Sequence, residues 1–144
     1  MIDELQITVS SPDLTPERAY PGDAGLDLKA SEDVLIYPGE TVAVGTGVCA
    51  LIPYHFAGFI YSRSGLALKH NIWQANGVGV IDHQYRGEIK SLLYNGGDGA
   101  YQVHRGDRIA QLVVLRIELP TVYVMRTALP ESTRGDNGFG SSGR

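Results

Sequence analysis

At 144 residues and 43% hydrophobic, the chain has the size and apolar content of one domain with its own core. A formal charge of −4 with no run of lysines or arginines argues against a nucleic-acid polymer or an anionic membrane as the main partner, while leaving room for a small anion held by local cations and backbone dipoles. The single Cys49 excludes an internal disulfide, a CxxC redox pair and a cysteine-ligated zinc, and His55, His70, His83 and His104 lack ligand spacing. The acidic start Met1-Ile2-Asp3-Glu4 does not resemble a signal peptide, and no apolar run approaches the ~18 residues of a membrane span, so a cytoplasmic protein is expected.

Eighteen glycines and seven prolines interrupt brief runs of Val, Ile, Leu, Tyr and Thr, which is an all-β pattern. Strands are expected over residues 5–9, 34–37, 41–51, 58–61, 88–94, 101–103, 109–115 and 121–125. Pro38-Gly39-Glu40, Asn95-Gly96-Gly97-Asp98-Gly99 and Arg105-Gly106-Asp107 read as turns between them. Only residues 64–70 have helical propensity and spacing, for about two turns, with Ser64 placed to cap the start. A jelly roll or β-barrel follows, with residues 1–130 as the domain and 131–144 as a flexible arm.

Several segments carry chemistry. Gly45-Thr46-Gly47 lacks the third glycine and following helix of a dinucleotide fingerprint and is set aside. Arg63-Ser64-Gly65 gathers a guanidinium, a hydroxyl and free N–H groups, a combination suited to phosphate, although an ordinary capped helix with a surface arginine would read the same way. Ser64 has no nucleophile elbow around it. Between Asn76 and Glu88, glycines among β-branched residues predict a tight hairpin whose peptide edges could read a planar base. Asp82 and Tyr85 stand three apart, either facing one ligand or forming a plain turn. The segment from Arg134 sets an arginine and Phe139 among glycines and serines, either a mobile terminus or a lid for a nucleotide.

Five segments together resemble the motifs of the trimeric dUTPase family, in the family's order: Ala24-Gly25-Leu26-Asp27-Leu28-Lys29-Ala30, Arg63-Ser64-Gly65-Leu66-Ala67, residues 76–88, Gly106-Asp107-Arg108-Ile109-Ala110-Gln111, and residues 134–143. One departure is Ser62, where the family usually has proline. The resemblance implies a homotrimer of distorted jelly-roll subunits whose active sites are each assembled from all three chains. It implies hydrolysis of dUTP to dUMP and pyrophosphate, which limits uracil incorporation into DNA and supplies dUMP for dTMP synthesis. Asp82 would be the general base for water attacking the α-phosphorus. Mg²⁺ would ride on the triphosphate, with Asp27 reaching it through water. Arg63, Ser64, Gly65 and Gln111 would surround the phosphates, and Asn76, Gly79 and Ile81 would read the uracil edge. Tyr85 would pack on the deoxyribose. From a neighbouring chain Phe139 would stack on the base and Arg134 would meet the γ-phosphate, with Gly140, Ser141 and Ser142 completing the lid.

Two rivals stand beside this reading. A dCTP deaminase would need a glutamate ten residues after Asp82, where this chain has Leu92. A dUTP-binding regulatory module would act on a protein partner, as expected were the chain phage-encoded.

Overall fold

A computed structural model describes residues 4–138. Eleven strands and one short α-helix alternate with glycine-marked turns and a single 3-10 turn at Pro12–Leu14: β1 (Gln6–Val9), β2 (Leu26–Lys29), β3 (Val34–Ile36), β4 (Thr41–Gly45), β5 (Val48–Leu51), β6 (Phe56–Ser62), α1 (Ser64–His70), β7 (Ile72–Gln74), β8 (Gly79–Ile81), β9 (Lys90–Asn95), β10 (Tyr101–Val103) and β11 (Arg108–Arg116). They form four small antiparallel sheets, ordered β1-β5, β10-β3, β2-β11-β6-β8 and β4-β9-β7, a jelly-roll-like arrangement without a closed barrel.

Two apolar clusters fill the interior. One contains Leu28, Val48, Ile52, Ile60, Ile89 and Leu112, the other Ile36, Val44, Ile72, Leu93, Val103 and Ile109. The long strand β11 serves both, because its register against β2 shifts between Arg108 and Ala110. That irregularity turns consecutive residues Ile109 and Ala110 both inward, one to each cluster.

The strand expected over 41–51 is two strands. Gly47 takes a φ of +68°, reserved for glycine in most contexts, and the chain leaves the β4-β9 ladder for the β1-β5 ladder there. Buried Thr46 seals the break, its hydroxyl donating to the Ile89 carbonyl at 2.6 Å and accepting the Val48 N–H at 3.3 Å. Residues 121–125 form no strand: β-branched and aromatic though they are, they have no sheet edge to join within the described chain, and Val122, Tyr123 and Val124 are exposed. Strands β2 and β7 arise where none was expected, although Leu26 and Leu28 alternating with Asp27 and Lys29 is a legible period-two signal.

Two further expectations change. Arg63, not Ser64, is the residue before the first helical turn, with extended backbone (φ −89°, ψ 126°); no side chain caps the helix, and Ser64 is already helical. The hairpin expected between Asn76 and Glu88 is instead, over its first half, a bridge between sheets, since β7 before the turn at Gly77 pairs with β9 and β8 after it pairs with β6.

Candidate active site

The β2-β11-β6-β8 sheet organises the site. Gln111 of β11 pairs with Asp27 of β2 on one side and Tyr61 of β6 on the other, so these three side chains share the face opposite Leu28, Ile60 and Leu112. Asp27 is only 6% exposed, and two guanidiniums close on it. Arg63 Nε lies 3.2 Å from Oδ1, off the hydrogen-bond axis, and Arg108 Nη1 donates to Oδ2 at 3.3 Å. Arg63 is further aimed by an Nη1 bond to the Arg108 carbonyl at 3.1 Å. The carboxylate thus balances one of two cations and leaves the group net positive, as an oxyanion site requires. A side chain at Gly25 would come within 2.6 Å of Gln111 Oε1, so this glycine keeps space for the Gln111 amide. Gly65 and Ser64 are exposed at the start of α1, and a methyl at Gly65 would meet nothing within 4 Å. Packing within the chain therefore does not demand that glycine; a closely approaching ligand would.

The base-facing turn has its own logic. The N–H of Gly77 bonds the Gln74 carbonyl at 3.0 Å, and Gly77 has φ +71°. Gly79 lies so close to Ile60 that a methyl would approach its Cβ to 3.2 Å, with Asn76 Nδ2 at 3.6 Å. Asn76 and Gly79 are therefore neighbours at the end of β6 that carries Ser62. Further on, the Tyr85 N–H bonds the Asp82 carbonyl at 3.1 Å and the Tyr85 hydroxyl donates to the Glu88 carbonyl at 2.8 Å. The Tyr85 ring lies over Gly87, where a methyl would come within 2.5 Å of its hydroxyl. That leaves the ring half-exposed and fixed in orientation.

The candidate residues do not converge within one chain. Ile81 pairs with Gly58, so Asp82 leaves the sheet beside Ala57, at the far end of β6 from Arg63. His83 accordingly stacks edge-on to Tyr54, just before β6, with ring centroids 5.2 Å apart. Arg63, just past the end of β6, is six positions on from Ala57, or about 20 Å at ~3.3 Å per residue. That is beyond the reach of a base acting through one water.

Arg134 is exposed, its Nε donating to the Asn137 carbonyl at 2.9 Å. Phe139, Gly140, Ser141 and Ser142 lie outside the described residues. Sequence reasoning gave no role to Arg108, although it lies in a quoted motif, because its link to Asp27 spans 81 positions. No described helix is long and apolar enough to cross a membrane.

Comparison with known proteins gives the family. The dUTPase family model matches residues 13–143. A deoxyuridine 5'-triphosphate nucleotidohydrolase of Rhodococcus erythropolis is 48% identical, covering 99% of this chain and 89% of its own; that of Thermobifida fusca is 45% identical, covering 96% and 78%. Among solved structures, the dUTPase of Staphylococcus bacteriophage 80alpha with dUPNHPP superposes with a TM-score of 0.91 at 30% identity, over 99% of this chain and all of the other. A mutant dUTPase of phage phi11 of S. aureus, solved for its coordination of a structural Mg(II) ion, gives 0.80 at 28% identity, over 87% and 98%. With the model spanning nearly all of the sequence and relatives near half-identical along it, the chain belongs to the dUTPase family.

Proposed function

We propose that this chain hydrolyses dUTP to dUMP and pyrophosphate in homotrimers whose active sites are shared between chains. The observation that carries the reading is the separation along β6. A phosphate-type group (Arg63, Arg108, Gln111) stands at one end, beside the turn of Asn76 and Gly79, and the Asp82 carboxylate with Tyr85 stands at the other, so the two halves of one chain are placed to serve two different ligands. Two exposed apolar surfaces support association. Exposed Val80 continues into half-buried Phe59 and Val113 in one row on the outer face of the central sheet, and exposed Leu119, Val122, Tyr123, Val124 and Leu129 form an unpaired apolar segment among the described residues.

In this reading Asp82 accepts the proton of the water attacking the α-phosphorus. As a carboxylate it is a mild base, so most of the acceleration comes from positioning and charge neutralisation. Arg63 meets phosphate oxygens from a pose set by Asp27 and the Arg108 carbonyl, and Ser64, Gly65 and Gln111 add donors. Asn76, Gly79 and Ile81 read the uracil edge, and the fixed Tyr85 ring lies on the deoxyribose where a 2′-hydroxyl would clash. Arg134, Phe139, Gly140, Ser141 and Ser142 close over the ligand from a neighbouring chain.

The residues fit Mg²⁺ in one way. Asp27 is the acid of the Arg63 group and both its oxygens already face guanidiniums, which suits a water-mediated contact to an ion carried by the triphosphate rather than a protein-held one. Mg²⁺ there would neutralise phosphate charge.

Pyrophosphate release from dUTP, UTP, dTTP and dCTP in steady state tests the proposal. dUTP should be preferred over dCTP by several powers of ten, because a site built to hydrogen-bond uracil leaves its groups unpaired with cytosine. Binding without pyrophosphate release would identify a regulatory module instead. Release of ammonia from dCTP would identify a deaminase, against which Leu92 stands as an apolar side chain on β9.

A further inference from the structure

Ser62, the last residue of β6, directly precedes Arg63 and replaces the proline usual in the family. Its hydroxyl oxygen accepts the backbone N–H of Gln74 at 2.8 Å. Strand β7, which ends at Gln74, is the edge of the β4-β9-β7 sheet, and Gln74 is 2% exposed. An outward N–H at a buried strand edge has neither a ladder partner nor water, so the Ser62 hydroxyl fills a requirement. Other sides of this junction are tied as well. Gln74 Oε1 accepts the buried Ser91 hydroxyl at 3.1 Å, and the Ala75 N–H donates to the Leu92 carbonyl at 2.8 Å. The Gln74 carbonyl then accepts the Gly77 N–H, closing the turn that holds Asn76 and sets Gly79 against Ile60.

From this geometry we propose that Ser62 is a positioning residue for base selection, its hydroxyl fixing the root of the turn that presents Asn76, Gly79 and Ile81. The inference rests on the dUTP reading above. Without the hydroxyl, Gln74 keeps a buried N–H lacking an acceptor, and the turn is free to shift where base edges are read. Asp82 and the arginines are untouched, so the effect falls on KM and on discrimination between bases rather than on kcat.

The test is steady-state kinetics of the full chain with dUTP and dCTP. In Ser62→Ala the KM for dUTP should rise about 3- to 10-fold, the worth of one neutral hydrogen bond, with kcat retained. The dUTP-to-dCTP ratio of kcat/KM should fall, and Ser62→Thr, which keeps the hydroxyl, should restore both. A Ser62→Ala enzyme with lowered Tm but unchanged KM and ratio would overturn the proposal and leave Ser62 a merely structural role. Should Ser62→Ala not fold, Ser91→Ala loosens the same junction from its other side. It should lower the ratio, and an unchanged ratio overturns the proposal. A wild-type chain inactive on dUTP would overturn the dUTP reading and this inference together; an active wild type with indifferent variants overturns this inference alone.

Discussion

The two ends of β6 are held by different forces. At one, Arg63 and Arg108 converge on the nearly buried Asp27, and a partly desolvated cluster of charges sets the pose of each guanidinium before any ligand arrives. At the other, the Asp82–Tyr85 turn is exposed and held by backbone carbonyls: Tyr85 N–H on Asp82, Tyr85 hydroxyl on Glu88, Arg86 on His83 at 2.6 Å. Charge is fixed by countercharge where a polyanion would be met. Shape is fixed by main-chain bonds where a neutral sugar would be met.

The sharpest way to break this comparison is at the exposed end. Asp82→Asn keeps the turn, because the carbonyl that holds Tyr85 is unchanged, but removes the proposed base. kcat should fall on the order of 10²- to 10⁴-fold with dUTP binding retained. Turnover near wild type would remove Asp82 from the reaction.

The separation itself can be tested by mixing. Arg63→Ala and Asp82→Asn chains should each be nearly inactive alone. Exchanged into mixed oligomers they should regain activity, since some of the proposed shared sites then draw Arg63 from one chain and Asp82 from another. Verified subunit exchange without recovery would mean that both residues serve one site in one chain, contrary to the ~20 Å that β6 puts between them.

Much of this was legible in the sequence, and the limits have physical causes. Glycine punctuation marks the turns, and α1 spans the residues expected of it, because those signals are local. The break at Gly47 was not legible, since Thr46 and Gly47 interrupt the strand only through a bond to Ile89, 43 positions away. Residues 121–125 have strand composition but no edge to join in this chain, and composition does not say whose edge a strand joins. Arg63, Ser64, Asp82 and Tyr85 stand out by type and spacing, while Gln111 and Asn76 are identified only through the resemblance. Their division between the two ends of β6 depends on register, which spacing does not encode.

A smaller effect is expected from the arm. Residues 131–138 are exposed throughout, so a chain ending at Pro130 loses no described core residue and should keep its fold, with an unchanged Tm. It should lose about 10²-fold in kcat/KM, the order of one base stack plus one arginine–phosphate contact. Undiminished kcat/KM would show that closure by the arm contributes nothing.

The smallest effect lies away from both ends of β6 and asks how much countercharge matters where no ligand is served. Asp13 is a surface carboxylate that accepts the Ser11 hydroxyl and two bonds from Arg105 Nη2, at 2.8 and 3.1 Å. The Ser11 bond chiefly, with the Arg105 charge added, holds its pKa below the ordinary 3.8, against a weaker opposing effect of desolvation. A folded-state pKa below the unfolded one means the stabilisation is present above pH 3.8 and is lost as pH falls through the lowered value. Asp13→Asn removes that titration. The difference in urea midpoint between wild type and variant should therefore stay constant from neutral pH down to about pH 5 and narrow below 3.8. Because the pair is exposed and screened, the difference should also shrink in high salt, unlike any effect of the partly buried Asp27 group. A difference that persists unchanged into acid would assign Asp13 a contribution independent of its charge.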